Sequence, residues 1–443
     1  MTVSRTICTG FLAVIAVGTL LLMLPFASAA GTWSNPLVAI FTATSAVCVT
    51  GLIVVDTGSY FSPFGQFVIL ALIQVGGLGY MTATTFLLLL LGRRLGLRDR
   101  LAIQQTLDTE LSGVRSLVRS IIATTLIFEL TAAFLLLLVF VPDYGFGYGL
   151  WLSIFHSISA FNNAGFSLFA DSLTQYAQSP LLNMLIPALI IIGGLGYEVL
   201  MDSYLWSRDR LQGRRERPII SLHFKIVTST TLFLLIVGTI AFFFMEYSNP
   251  NTMGNMPLSG KLMTAWFQSV TTRTAGFNTI DMGQMTAASL FLTIALMFIG
   301  ASPGSTGGGI KTTTIRILVS CTRAVLQGKD VVLCYQRQVP LARILKAIAV
   351  VVGSILVVIT ITTLIAITDH EHPFLNLLFE CVSAFGTAGL STGITAELSM
   401  WGKMILVPTM YLGRVGVLIA MSAILGDPSP SVVQYPEEDL LVG

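Results

Sequence analysis

Four short runs of this chain offer backbone chemistry rather than side-chain chemistry: Val49-Thr50-Gly51, Asn163-Ala164-Gly165, Thr274-Ala275-Gly276 and Thr387-Ala388-Gly389. Their closing glycines Gly51, Gly165, Gly276 and Gly389 stand 114, 111 and 113 residues apart. Glycine accepts a positive φ that other residues seldom adopt, so each run can turn carbonyl oxygens toward a common axis. Four such runs around one axis make a ring that replaces the hydration shell of a cation. Small residues also serve simply to let helices pack closely. That bland reading does not account for four matching runs at matching spacing.

A second candidate is GASPGSTGGGIKTTT, residues 300–314. It resembles a phosphate-binding loop, but aligning Gly304 and Gly309 on that motif puts Ile310 where lysine is required and Lys311 one place late. No strand precedes it, so the context that would support nucleotide binding is missing. Within a helix each glycine costs about 1 kcal/mol and proline about 3 relative to alanine. Ser302, Pro303, Gly304, Ser305, Thr306, Gly307, Gly308 and Gly309 are therefore expected to break an apolar helix and form a loop at membrane depth. Such backbone must face protein or water, and below a cation filter it is placed to act as a gate. Arg414 is the third candidate. An arginine inside a span costs about 2.5–3.5 kcal/mol on insertion scales and faces a bundle interior or a watery cavity. It is either a fixed positive barrier to cations or the partner of a buried carboxylate, with Glu129, Glu198 and Glu380 available.

Catalytic chemistry finds no support. The five cysteines (8, 48, 321, 334, 381) form no Cys-x-x-Cys pair and the four histidines no His-Glu-x-x-His, so neither a transition-metal site nor a disulfide framework is expected. No nucleophile elbow is present, and the segments between apolar runs are too short for a separate enzyme domain.

The elements that must position these residues follow from composition. The chain has 443 residues, 54% hydrophobic and 10% charged, against roughly 25% charged in soluble domains. Runs such as 11–30, 120–141 and 226–245 approach the roughly 20 apolar residues that a spanning helix needs. Four units share one plan: a long apolar span, a segment of about a dozen residues (36–48, 150–162, 260–272, 373–385) too short to cross, the glycine run, and a second span (66–91, 181–206, 287–325, 403–425). Each second span carries a small-residue cluster, GGLGY at 76–80 and 193–197, GASPGSTGG at 300–308 and GRVG at 413–416, but only the third is expected to break. The expected fold is an all-α polytopic membrane protein of four pseudo-symmetric span, re-entrant pore helix, span repeats around one pore, with eight spanning helices. The repeats are 1–92 (filter 48–51), 93–207 (filter 162–165), 208–325 (filter 273–276, gate loop 302–309) and 326–426 (filter 386–389), before a C-terminal tail, 427–443.

Charge sets the orientation. Of 24 Lys and Arg, six fall in 93–119, six in 208–225 and seven in 311–346, with Arg5 on the same side; the positive-inside rule puts this side and both termini in the cytoplasm. The opposite loops carry Asp56, Asp143, Asp171, Glu246, Asp281, Asp369, Glu371 and Glu397 against Lys261, Arg273 and Lys403. Those acids either form a vestibule that concentrates cations or are merely tolerated in translocated loops.

The four glycine runs, the GGLG clusters and the broken third span resemble the superfamily of Trk, Ktr and plant HKT potassium transporters, and most of all the Ktr-type potassium-translocating membrane subunit. The resemblance runs from about residue 10 to the tail. It implies potassium uptake through a gated pore, with the twelve residues of the glycine runs as filter, residues 302–309 as gate loop and Arg414 in the pore beside it. It also implies a homodimer docked on a cytosolic, nucleotide-binding RCK-type regulatory ring, with K⁺ as the transported ion and no organic cofactor or nucleic acid. Sodium remains open as coupling ion or, in relatives with serine at the first filter glycine, as cargo; here all four are glycine. Cys48 stands where close relatives often have threonine. A secondary carrier of another solute is the less favoured alternative, because carriers more often show two-fold inverted repeats.

Overall fold

The short helices begin where proline or a polar cap allows. The computed structural model describes residues 3–90, 114–212 and 221–426; the basic stretches 93–113 and 213–220 and the tail 427–443 lie outside the described residues. In the first unit α1 (Val3–Met23) crosses first, and α2 (Pro36–Val47) starts at Asn35, whose side chain accepts from Leu37 N at 2.9 Å. Pro36 fills a first-turn position where a missing N–H costs nothing. The unit ends with α3 (Pro63–Leu90).

In the second unit α4 (Val114–Phe161) is continuous in hydrogen bonding but turns at Gly145 (φ 74), past which it becomes the second short helix. It is followed by α5 (Pro180–Leu195) and α6 (Tyr197–Leu211). The third comprises α7 (Leu222–Glu246), α8 (Leu258–Thr271), α9 (Ala287–Phe298) and α10 (Thr312–Leu326). An antiparallel hairpin of β1 (Leu333–Cys334) and β2 (Arg337–Gln338) leads to α11 (Leu341–Thr368), α12 (Phe374–Gly386), α13 (Met400–Val415) and α14 (Val417–Leu425).

The units close into a ring. Each pore helix packs on the second helix of the preceding unit, α3 on α4, α5 on α8, α9 on α12 and α13 on α2, and the first, second and fourth pack also on that of their own unit. The core sits on the pore helices, where Phe41–Val47 and Phe379–Gly386 are fully enclosed. The long helices turn Leu20, Phe134, Phe233 and Ile359 outward, as helices in lipid do.

One expectation is corrected. All four second spans break, not the third alone. Gly79 (φ 80, ψ 147), Gly196 (φ 88, ψ 154) and Gly416 (φ 89, ψ 140) take one and the same left-sided extended conformation, and the chain bends by 102° after α5 and by 97° after α13. The clusters written GGLG and GRVG therefore end a half-span. Among the described residues four helices are long and apolar enough to cross, six if each bent pair counts as one span, with Pro63–Gly79 and Ala287–Phe298 as shorter apolar pieces. Among the described residues the eight expected spans are thus four long helices and four broken second spans.

Candidate functional site

Each pore helix ends one to three residues before a glycine run, and the run leaves it in a left-handed step. Val49 (φ 55), Asn163 (φ 58), Thr274 (φ 64) and Thr387 (φ 49) all have positive φ, as do Gly51 (93), Gly165 (68), Gly276 (82) and Gly389 (79), with an ordinary residue between. A β-strand alternates its carbonyls; two left-handed steps flanking one residue let successive carbonyls face the same side. The amides are already committed to the helix: Thr50 N, Ala164 N and Ala388 N donate at 2.8 Å to Ser45 O, Ser159 O and Ser383 O, and Ala275 N to Thr271 O at 3.0 Å. The acceptors are left for the axis.

The runs face one another in a closed circle. A side-chain carbon on Gly51 would collide with Ala164 O, on Gly165 would lie 2.7 Å from Ala275 O, on Gly276 3.0 Å from Ala388 O, and on Gly389 would collide with Thr50 O. Each unit thus presents its glycine to the next unit's carbonyl, and all twelve residues named from sequence are brought together. Cys48, the cap of α2, is fully buried behind this ring.

Directly on one side of the ring lies the loop 302–309. Gly307 and Gly308 approach the hydroxyls of Thr274 and Thr387 so closely that a Cβ on either would strike them, and both hydroxyls are buried without a hydrogen-bond partner. Thr306 Oγ1 lies 3.2 Å from Phe161 O and 3.3 Å from Asn163 Oδ1, and Ser302 N donates to Gly194 O at 3.1 Å. Arg414 donates to Thr306 O and Gly76 O, and more weakly to Gly77 O at 3.4 Å. It ties the loop to the broken helix of the first unit. The carboxylates considered as its partners are engaged elsewhere: Glu129 with Gln74 and Asn162, Glu380 with Ser391, Thr392 and Thr395, while Glu198 lies 3.8 Å from His223.

Beyond the loop is a cavity of about 300 Å³ bordered by Gly77, Gly193, Pro303, Thr306, Lys311 and Arg414. On the other side of the ring a vestibule of about 680 Å³ touches all four of its glycines, Gly51, Gly165, Gly276 and Gly389, and Asp56, Asp171 and Asp281. The loop and the two cations stand between these spaces.

The acids divide into two groups. Asp56 and Asp281 line the vestibule while capping short helical turns through Gly58 N, Ser59 N and Gly283 N. Glu246 and Asp369 are buried and structural: Glu246 accepts from Thr286 N and Thr252 Oγ1 at 2.9 and 2.6 Å, and Asp369 from Ser399 Oγ at 3.0 Å. Two cations assigned to the outer loops are also relocated. Arg273 is buried behind the glycine ring, donating to Gly300 O at 3.1 Å, and Lys261 is buried against Tyr247, donating to its carbonyl at 2.8 Å. Local composition does not distinguish a loop cation from one folded inward.

Sequence reasoning named Lys311 and Glu129 but missed their places in the structure. Lys311 Nζ donates to Gly307 O at 2.8 Å, so the lysine that fails the phosphate motif fastens the loop. The available signal was a cation between two half-helices. Glu129 Oε1 accepts from Asn162 Nδ2 at 3.0 Å and Oε2 from Gln74 Nε2 at 3.2 Å, while Asn162 Nδ2 also reaches Gln74 Oε1 at 2.8 Å. Gly77 packs on the Asn162 amide, so the network backs the carbonyls that Arg414 uses.

Comparison with known proteins places this architecture. The family model described as TrkH, cation transport protein, matches residues 6–435. The chain is 40% identical to the Ktr system potassium uptake protein B of Bacillus subtilis over 99% of its length and 96% of that protein, and 40% identical to the protein of the same name from Vibrio alginolyticus (99% and 94%). It is 37% identical to the potassium/sodium uptake protein NtpJ of Enterococcus hirae (99% and 97%). The crystal structure of the potassium transporter TrkH from Vibrio parahaemolyticus superposes with a TM-score of 0.72 at 18% identity, covering 95% of this chain and 85% of that one, a likeness of fold. The bent half-spans, the four-unit ring and the full-length sequence match together make this chain a multi-pass membrane protein of the TrkH family of cation transport proteins, a family of transporters rather than enzymes.

Proposed function

We propose that this chain carries out potassium uptake, the ion passing between the carbonyls of Val49, Thr50 and Gly51, Asn163, Ala164 and Gly165, Thr274, Ala275 and Gly276, and Thr387, Ala388 and Gly389. The closed circle of glycine-to-carbonyl contacts carries this reading: committed amides and free carbonyls are what a dehydrated cation requires. Both relatives named Ktr system potassium uptake protein B favour potassium as cargo. Residues 302–309 with Arg414 form the gate, and the arrangement described here is its closed form, since two cations and a loop occupy the path between vestibule and cavity. Lys311 acts with them.

The orientation is filter outward and both termini cytoplasmic, supported by the distribution of Lys and Arg. Two copies and a separate cytosolic RCK-type nucleotide-binding ring complete the transporter; the word "system" in the relatives' names favours a partner chain. Passage or coupling of sodium is the second reading, favoured by the name potassium/sodium uptake protein borne by the Enterococcus hirae relative.

The test is growth of an uptake-deficient bacterium at low potassium with the parent chain and with Gly276→Ser, each expressed with a cognate ring. A serine there places its side chain against Ala388 O and in a strained backbone (φ 82). Rescue by the parent, weakened at least roughly tenfold in potassium requirement by the variant at equal membrane abundance, is expected, since about 1.4 kcal/mol of lost coordination is tenfold. Failure of the parent despite assembly, with sodium uptake intact, would establish the sodium reading instead.

A further inference from the structure

On the side opposite the vestibule, the end of the third unit folds into a small layer of its own. The middle of α10, the hairpin β1–β2 and the first turns of α7 and α11 meet around Ile226, Cys334, Val339 and Ile344. Cys334 Sγ lies 3.2 Å from Ser320 Oγ, which folds the hairpin back over α10. The fold-back encloses a cavity of about 230 Å³ lined by Arg316, Arg323 and Lys329 together with Ser320 and Tyr335.

Arg316 and Arg323 are two helical turns apart and so share a face of α10, and Lys329 joins them from the turn that follows. The guanidinium of Arg316 sits 5.7 Å from the centre of the Tyr335 ring. Its Nε is buried and, among the described residues, has no hydrogen-bond partner. The positive-inside rule explains on which side cations lie; it does not explain why three converge on one concavity with a donor left unused. Beside them on α10, Val319 and Leu326 are 55% and 83% exposed, an apolar edge running alongside the cationic cavity.

Three cations around an unused donor call for a compact anion with several acceptor oxygens, and phosphate has that form. The apolar edge calls for hydrocarbon attached to it. We propose that Arg316, Arg323 and Lys329 bind the phosphate headgroup of an anionic phospholipid, whose acyl chains lie along Val319 and Leu326. The site is separate from the ion path and holds whatever ion the pore selects.

The experiment uses the full-length chain in detergent, with native mass spectrometry counting bound phosphatidylglycerol, phosphatidylcholine as neutral control and inorganic phosphate as competitor. The parent is expected to retain phosphatidylglycerol over phosphatidylcholine, with affinity falling about fivefold for each cation neutralised through the series R316Q, R316Q/R323Q and R316Q/R323Q/K329Q. Inorganic phosphate alone is expected to leave the lipid in place. Y335L, which keeps every charge, is expected to weaken binding less than R316Q. Equal retention by parent and triple variant, both eluting as the same species, overturns the proposal, and where the triple variant fails to fold, equal retention by R316Q does so. Displacement by inorganic phosphate overturns the lipid as the source of the anion. A change of oligomeric state with lipid retention unchanged overturns it in favour of a protein contact.

Discussion

At the residue scale the proposed gate rests on residues that have no side chain. Gly308 abuts the Thr387 hydroxyl, so a methyl group there must displace either the filter threonine or the loop. The loop, with its run of glycines, is the softer partner. Gly308→Ala is expected to loosen the closed arrangement and raise basal rubidium flux in proteoliposomes; flux unchanged or lowered at equal protein would count against closure by this loop. Arg414 makes the complementary case. Its guanidinium holds Thr306 O and Gly76 O, and hydrogen bonds to a charged group contribute about 1.5–3 kcal/mol each. Arg414→Gln removes both the clamp and the positive charge, so flux should rise by roughly tenfold or more, each 1.4 kcal/mol being a factor of ten. Flux equal to the parent's would assign Arg414 a purely structural place.

At the scale of elements, one packing contact recurs. Gly76 lies on Val47 O, Gly193 on Phe161 O and Gly413 on Phe385 O, each too close to admit a Cβ. In these three units the broken second helix rests its first cluster glycine on the last turn of its own pore helix. Only a backbone without a side chain brings the two that close. Gly79 instead has open space around it and only its positive φ to protect. Gly79→Ala should therefore cost about 1–3 kcal/mol, whereas Gly193→Ala adds a collision and should lower the melting temperature further. A reversed order in detergent-solubilised protein would show that this contact does not hold the pore helix. The Glu129 network works at the same scale: Glu129→Ala strands the Gln74 amide donor, about 1–3 kcal/mol for a buried group left unpaired, while Asn162 keeps Gln74 Oε1 and Ile158 O, and a melting temperature equal to the parent's would remove the network as a support of the glycine ring.

At the scale of the whole molecule, four units form a ring with a vestibule on one face and the α10–hairpin layer on the other. The proposed orientation in the membrane rests on the distribution of charge. In chains stripped of accessible native thiols, Gln175→Cys should react with an impermeant maleimide added outside intact cells and Lys329→Cys only after permeabilisation. The opposite pattern would invert the topology. Of the outer acids, Asp56, Asp171 and Asp281 reach the opening while Glu246 and Asp369 are interior caps.

The short helices were legible because length and hydropathy decide them: the segments 36–48, 260–272 and 373–385 lie within two residues of Pro36–Val47, Leu258–Thr271 and Phe374–Gly386. The four glycine runs were legible because a positive φ narrows residue choice and repetition makes the choice visible. The loop 302–309 showed because a proline and four glycines cannot continue a helix. The other three breaks did not, since a glycine cluster in a span serves equally for close packing and only the approach to Val47, Phe161 and Phe385 turns it into a bend. The partners of Arg414, Arg273, Lys311 and Glu129 were likewise beyond the sequence. Their bonds join residues 27 to 338 positions apart in three of the four cases, and Lys311 reaches back only four residues to Gly307 because the loop is folded against the filter. Local pattern determines which segments are helical and where the backbone must bend; which carbonyl a buried cation meets depends on how four separate units close around one axis.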